Sequence, residues 1–219
     1  MAGIAQMPSM FRGNFFNEKD WLKTNVKRGV TRNRAGTRML SLSSDFLIGL
    51  RNALQFECGK AADAVLHTAG KKWGRQFGIR LEKELSEFYG YALSSFSLAM
   101  FEGCLVEAFS HHGWGRLKLD ISKQDKGLIV FCVTNPIYGT IVDKAEGPVE
   151  SLLSGIIAGI FSHYSGQDLE CEQTQCVTTG AADARFVLSL PSRLEDVPTW
   201  VRTGKSHDAI VAALCEVRG

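Results

Sequence analysis

The run Arg116-Leu117-Lys118-Leu119-Asp120-Ile121, followed after the turn Ser122–Gly127 by Leu128-Ile129-Val130-Phe131-Cys132-Val133, decides the fold class. The first six residues alternate polar and apolar, as a strand with one wet face does. The second six are unbroken apolar and read as a more buried strand, and a hairpin is the natural connection. Leu169–Val177 and Arg185–Leu190 repeat the arrangement around Thr178–Asp183, and Pro191 ends it. Between the hairpins Val149–Tyr164 carries Leu152, Leu153, Ile156, Ile157, Ile160 and Phe161 around most of a helix circumference, so that helix should be central.

Upstream the period is helical. Ser43-Ser44-Asp45 supplies a cap and a first-turn acid for a helix with Phe46, Leu47, Leu50 and Leu54 on one face, closed by Gly59. The next segment places Ala61, Val65, Ala69, Trp73 and Phe77 four apart, with Gly70, Gly74 and Gly78 in register beside them. Each interior glycine costs about 1 kcal/mol relative to alanine. Three in register therefore imply either that another backbone approaches closely or that the helix ends near Gly70. The persistence of the apolar stripe to Phe77 favours close approach, and Gly155-xxx-Gly159 equips the central helix for tight packing in the same way. Further helices are expected over Arg80–Tyr89, Ser94–Ser110 and, in the tail, His207–Val217. The fold class is therefore α+β, helices packed on an antiparallel sheet of two hairpins. The chain divides into an N-terminal basic arm (1–40), a main domain (41–190) and a C-terminal tail with a short helix (191–219).

The chain has 219 residues, 45% hydrophobic and 22% charged, which excludes a disordered or fibrous protein. A net charge of +2 gives no signature of a nucleic-acid partner. The basic run Lys23, Lys27, Arg28, Arg32, Arg34 and Arg38 is nevertheless free of acids. It reads either as a solvated lead-in that salt-bridges to Glu82–Glu87, or as a contact for an acidic partner, a phosphate or an anionic membrane. No segment is long enough to span a bilayer and no signal-peptide core is present, so the expected location is cytoplasmic, or peripheral to a membrane. Six cysteines without a CxxC pair read mostly as buried reduced thiols. No phosphate loop, dinucleotide fingerprint, nucleophile elbow or HExxH is present.

Chemistry gathers instead at His111-His112-Gly113-Trp114-Gly115, where a helix gives way to a strand. The histidines serve as a polar helix cap or as ligand contacts, and Trp114 stacks on a flat ligand or plugs the core. Lone His67 and His163 read as core or surface groups.

The order of elements from Asp45 to Leu190, with Gly155-Ile156-Ile157-Ala158-Gly159-Ile160-Phe161-Ser162, Ser165-Gly166, Glu172-Gln173-Thr174-Gln175-Cys176, Gly180 and Arg185-Phe186, resembles the 4-vinyl-reductase domain family. That resemblance implies a fold similar to TRAPP-type trafficking subunits, with a hydrophobic cavity between sheet and helices, and a homodimer. Asn33–Arg38, Gly70–Gly74 and His112–Gly115 look like a stand-alone branch of phototrophic bacteria, which implies a pigment-protein or photosystem partner. Zinc-binding members of the family carry E-x-x-C and two further cysteines. Here those positions hold Gln173, Cys176, Ala184 and Glu150, and one thiolate with one carboxylate cannot close a structural zinc site. No cofactor is therefore expected. Strand alternation leaves Glu172 as a partial substitute on the Cys176 face.

The leading expectation is a non-catalytic binding protein for a hydrophobic ligand, tetrapyrrole or aromatic, with Phe101, His111, His112, Trp114 and Phe131 lining the pocket. For the two phenylalanines plain core is the alternative. The rival functions are a tetrapyrrole vinyl reductase, for which a hydride-donor site is lacking, and a purely structural dimeric scaffold.

Overall fold

The computed structural model describes residues 13–142, 145 and 147–216. In chain order the elements are α1 (Glu18–Trp21), β1 (Leu22–Asn25), β2 (Val30–Asn33), β3 (Arg38–Met39), α2 (Ser44–Cys58), α3 (Ala62–Tyr89), α4 (Leu98–His111), β4 (Arg116–Asp120), β5 (Ile129–Thr134), α5 (Ser151–Ser165), β6 (Glu170–Gln175), β7 (Ala184–Ser189), α6 (Pro191–Leu194), α7 (Val197–Arg202) and α8 (His207–Glu216). The chain forms two units, one of residues 1–41 with 80–108, the other of residues 42–79 with 109–219.

The larger unit holds the expected antiparallel sheet, in the order β4-β5-β7-β6. Leu119 lies opposite Phe131 and Phe131 opposite Phe186, so β5 and β7 form the buried centre. On one face α5 supplies a fully apolar layer, its Phe161 ring 5.0 Å from Phe131. On the other face Leu128, Val130 and Val187 meet Leu194, Val197, Ile210 and Leu214 of α6 to α8. The segment after Leu190, read from the sequence as a tail, thus carries half of one core layer. Apolar spacing was present there, but Pro191 hid the continuity by acting as a helix N-terminal residue rather than a terminator.

Helices α3 and α5 pack through glycine, as the spacing implied. A Cβ at Gly70 would strike the Leu152 carbonyl, and one at Gly74 the Ile156 carbonyl. Reciprocally, a Cβ at Gly155 would strike the His67 carbonyl, and one at Gly159 the Lys71 carbonyl. Because this partner occupies the glycine face, the Ala61–Trp73 stripe points outward, with Val65 and Trp73 each 41% exposed. The buried side of this stretch is Leu66, Gly70, Gly74 and Phe77. The separate helix expected from Arg80 is the continuation of α3. In α2 the expected inward face is also partly open, since Phe46 and Leu50 are exposed while Arg51 is buried. Arg51 reaches Asp63 at 3.4 Å and donates to the Val149 carbonyl at 3.3 Å.

In the smaller unit the basic arm forms the three-stranded meander β1-β2-β3. Its strands escaped the pattern reading because neither face is apolar. It meets the acidic stretch by hydrogen bonds rather than salt bridges: the Asn33 amide donates to Glu84 Oε2 at 3.0 Å, and the Thr37 hydroxyl to Glu84 Oε1 at 2.5 Å. The salt bridge to Glu84 comes from Arg80, four residues before it on α3.

Candidate ligand-binding site

The loop after α4 turns sharply at Gly113 (φ 71°) and Gly115 (φ 109°). At Gly115 a Cβ would come within 2.7 Å of the Thr134 carbonyl, so only glycine lets β4 start beside the end of β5. Between these glycines the Trp114 N–H donates to the Phe109 carbonyl at 3.1 Å, which turns the indole inward. Four rings surround it: Trp73 at 4.7 Å, His112 at 4.8 Å, Phe109 at 5.1 Å and Phe77 at 5.2 Å between centroids. Three of these contacts are edge-on, the arrangement the ring quadrupole prefers. Trp114 is only 7% exposed, Phe77 and Phe109 are buried, and Trp73 is the open wall.

Of the five residues read as pocket-lining, His112 and Trp114 are therefore brought together, with His111 half-buried one residue upstream on the end of α4. Phe131 lies under α5 against Phe161. Phe101 belongs to the smaller unit, half-buried on α4. Trp73 and Phe77 were visible in the sequence as an i,i+4 pair, but their role as walls for Trp114 needed the packing of the α4–β4 turn onto α3.

A second feature lies at the edge strand β6. A cavity of about 520 Å³ is lined by Asp63, His67, Ser154, Glu170, Glu172 and Pro198, among others. His67 Nε2 lies 2.9 Å from Glu170 Oε1, and Lys71 Nζ lies 3.1 Å from Glu170 Oε2 and 2.9 Å from Asp168. Burial works against the charge on Glu170, but the His67 and Lys71 partners hold its carboxyl at about 2. Burial likewise opposes a charged His67, and Glu170 overcomes it, so the imidazole titrates above its usual range. For Glu172 desolvation outweighs the attraction of the His67 charge, and its carboxyl is raised to about 7. The signal in the sequence was the pair of acids two apart on an edge strand facing His67 and Lys71, four apart on one helix face.

The positions where zinc-binding relatives would place ligands do meet, without ligand chemistry. Gln173 Oε1 accepts hydrogen bonds from the Val149 and Glu150 N–H groups at 3.0 and 2.9 Å, which satisfies backbone donors at the start of α5. Glu150 is fully buried, accepts from the Gly139 N–H at 2.5 Å, and is pushed to about 7 by burial. Cys176 packs with Tyr138 and Val149, its sulfur 2.9 Å from the Thr178 hydroxyl. The register slips between Gln173 and Gln175. That bulge at Thr174 reverses the alternation, so Cys176 shares Val149 with Gln173, and Glu172 does not join its face, contrary to the simple strand reading. No cluster of three or more metal-ligating side chains occurs among the described residues. Of the cysteines, Cys104, Cys171 and Cys176 are buried while Cys58 is exposed.

Comparison with known proteins places residues 135–190, the segment from the end of β5 through β7, in the 4-vinyl-reductase domain family, as the glycine-rich helix and following hairpin suggested. Among solved structures, the phenol-responsive sensory domain of the transcription activator PoxR, with phenol, superposes with a TM-score of 0.65 at 19% identity, covering 90% of this chain and 92% of that one. At that identity the likeness is one of fold. A vinyl-4-reductase family protein from Methanocaldococcus jannaschii gives 0.47 at 18% identity over 69% of this chain and 83% of that one. A trafficking protein particle complex subunit 3 from Naegleria fowleri, covalently bound to palmitic acid, gives 0.47 at 18% identity over 67% and 94%. A comparison with curated protein sequences returns no match.

Proposed function

We propose that this chain is a non-catalytic receptor for a small hydrophobic, planar molecule, held against Trp114 and entered past Trp73. The observation that carries the reading is the aromatic box itself: four rings within 5.2 Å of one indole, of which Trp73 alone is largely open. Such a box suits a flat apolar guest, and His112 supplies a polar group at its margin. The sharing of a fold with a phenol-responsive sensory domain supports the same class of ligand. A single aromatic ring matches the scale of the box. A tetrapyrrole would lie along the exposed face of Trp73 with one edge inserted.

The role that this ligand would serve is pigment handling or photosystem assembly, in the cytoplasm or at the membrane surface. Support for it is the resemblance of Asn33–Arg38, Gly70–Gly74 and His112–Gly115 to the phototroph branch. Exposed Phe46, Leu50 and Phe56 on α2 support pairing of two copies. Light scattering at twice the 24.1 kDa chain mass is expected, and one chain mass across a concentration series contradicts it. The functional reading is tested by the absorption and mass spectra of protein purified from its native source. A co-purifying aromatic or tetrapyrrole compound is expected. Ligand-free protein that also fails to bind added phenol or protoporphyrin contradicts it.

A further inference from the structure

The register of the meander sets like charges against one another. Lys23 lies opposite Arg32 across β1 and β2, and Arg32 opposite Arg38 across β2 and β3, so three cations form one row on one face. Like charges directly opposite on neighbouring strands are destabilising. Only Asp20 answers them by an ion pair among the described residues, 3.4 Å from Lys23, and it is shared with Arg34 at 3.7 Å. Arg32 turns to its own chain and donates to the Gly36 carbonyl at 2.6 Å. Asn33 and Glu84 hold the opposite face of the meander, because neighbouring residues on a strand point to opposite sides, which leaves the cation row toward solvent.

The turn between β1 and β2 adds Lys27 and Arg28, and sets Val26 at its tip with 86% of its surface exposed. A concavity of about 690 Å³ on this meander is lined by Lys23, Lys27, Arg28, Arg32 and Arg34 and by no acidic residue. Leu22 and Leu40, 42% and 76% exposed, flank it.

We infer that this meander is a docking surface for an anionic lipid bilayer, with Val26 entering the headgroup boundary and the cation row lying on the anionic surface. Basic residues beside exposed aliphatic ones are the combination that a charged membrane rewards, by electrostatic attraction and apolar burial together. A nucleic-acid strand would be met instead by aromatic stacking platforms. In this segment the aromatic residues Phe15, Phe16 and Trp21 are buried. The inference is independent of the ligand reading, since the residues concerned lie outside the unit that carries Trp114.

The test is co-sedimentation of the full chain with phosphatidylcholine vesicles, with and without phosphatidylglycerol. Binding is expected to the anionic vesicles alone and to fall as salt is added. Each cation removed should weaken it about fivefold. Arg38→Glu gives Arg32 an opposite charge across the strands, so it should melt no lower than the parent while binding at least about fivefold more weakly. The Lys27→Ala/Arg28→Ala variant repeats the binding test at an exposed turn without touching the row, and Val26→Asp tests the apolar tip. Equal binding to neutral vesicles, or parental binding by both charge variants, overturns the inference. Tighter binding to a polynucleotide than to anionic vesicles, unaltered by Val26→Asp, overturns it in favour of a nucleic-acid surface.

Discussion

Gly159 of α5 rests on the backbone carbonyl of Lys71 in α3, with room for a hydrogen and none for a methyl group. The same carbonyl belongs to the residue whose ammonium pairs with Glu170, so one helix contact fixes both the core and the edge-strand cavity. Gly159→Ala should therefore destabilise by about 1–3 kcal/mol or more through overpacking, although alanine is the better helix former by about 1 kcal/mol. Gly49→Ala, in α2 with nothing within 4 Å of the added carbon, should instead stabilise by up to about 1 kcal/mol. Urea midpoints of the two variants check the contrast. A neutral Gly159→Ala would mean that the helices are not packed backbone to backbone.

Glu150 makes stability fall with rising pH. Its carboxyl titrates at about 7 in the fold because burial disfavours the charge, against about 4.3 in the unfolded chain. Between those values the folded state holds the extra proton, so each pH unit gained costs folding free energy, and above about 7 the loss is complete. Glu150→Gln keeps an acceptor for the Gly139 N–H and should be more stable than the parent by about 2 kcal/mol at pH 8, with little difference at pH 4. The slope should shrink rather than vanish, since Glu172 also titrates at about 7. Identical melting curves at both pH values would contradict this.

His67 and Glu170 act in opposite pH windows. The imidazole is raised by its carboxylate partner, so its contribution is full below about 6.5 and is lost as pH rises through the folded value. The carboxylate, held at about 2, contributes above about 4.3 and loses that contribution as the solution is acidified. Glu170→Gln should lower the His67 pKa, as read by NMR titration of the ring protons. An unmoved His67 titration would show that the ion pair does not set it.

Ending the chain after Leu190 should leave a protein that does not fold. Leu194, Val197, Ile210 and Leu214 cover Leu128, Val130 and Val187, and their loss would open a whole sheet face to water. Large core truncations of single side chains already cost about 2–5 kcal/mol each. A cooperative melt near that of the full chain would show residues 191–219 to be dispensable.

The sheet was legible because its strands obey a period of two with at least one apolar side, and the glycine packing was legible because a cost repeated at one spacing needs a partner. The meander of the arm was not, since strands such as Lys23–Thr24–Asn25 have no apolar face to announce them. The apolar stripe through Val65 and Trp73 was legible as a stripe but misassigned as inward, because composition ranks a glycine face below an alanine and tryptophan face whereas close packing prefers it. At the candidate site Trp114 and His112 stood out by position. Trp73 joined them only through tertiary packing, and the His67–Glu170 pair is 103 residues apart in the chain. The bulge at Thr174, which moves Cys176 to the Gln173 side, left no mark in the strand pattern.

The ligand role of the aromatic box is tested most directly by comparing Trp73→Ala and Trp114→Ala in melting and in fluorescence titration with phenol and with protoporphyrin. Trp73 is 41% exposed, so its loss should cost little stability and weaken binding by about two- to tenfold, the worth of one aromatic contact. Trp114 is the floor, so its loss should lower stability by about 3–5 kcal/mol and abolish the ligand-induced change in tryptophan emission. Unchanged affinity in both variants, with only the melting temperature of Trp114→Ala reduced, would contradict the receptor reading and leave the box as a core plug.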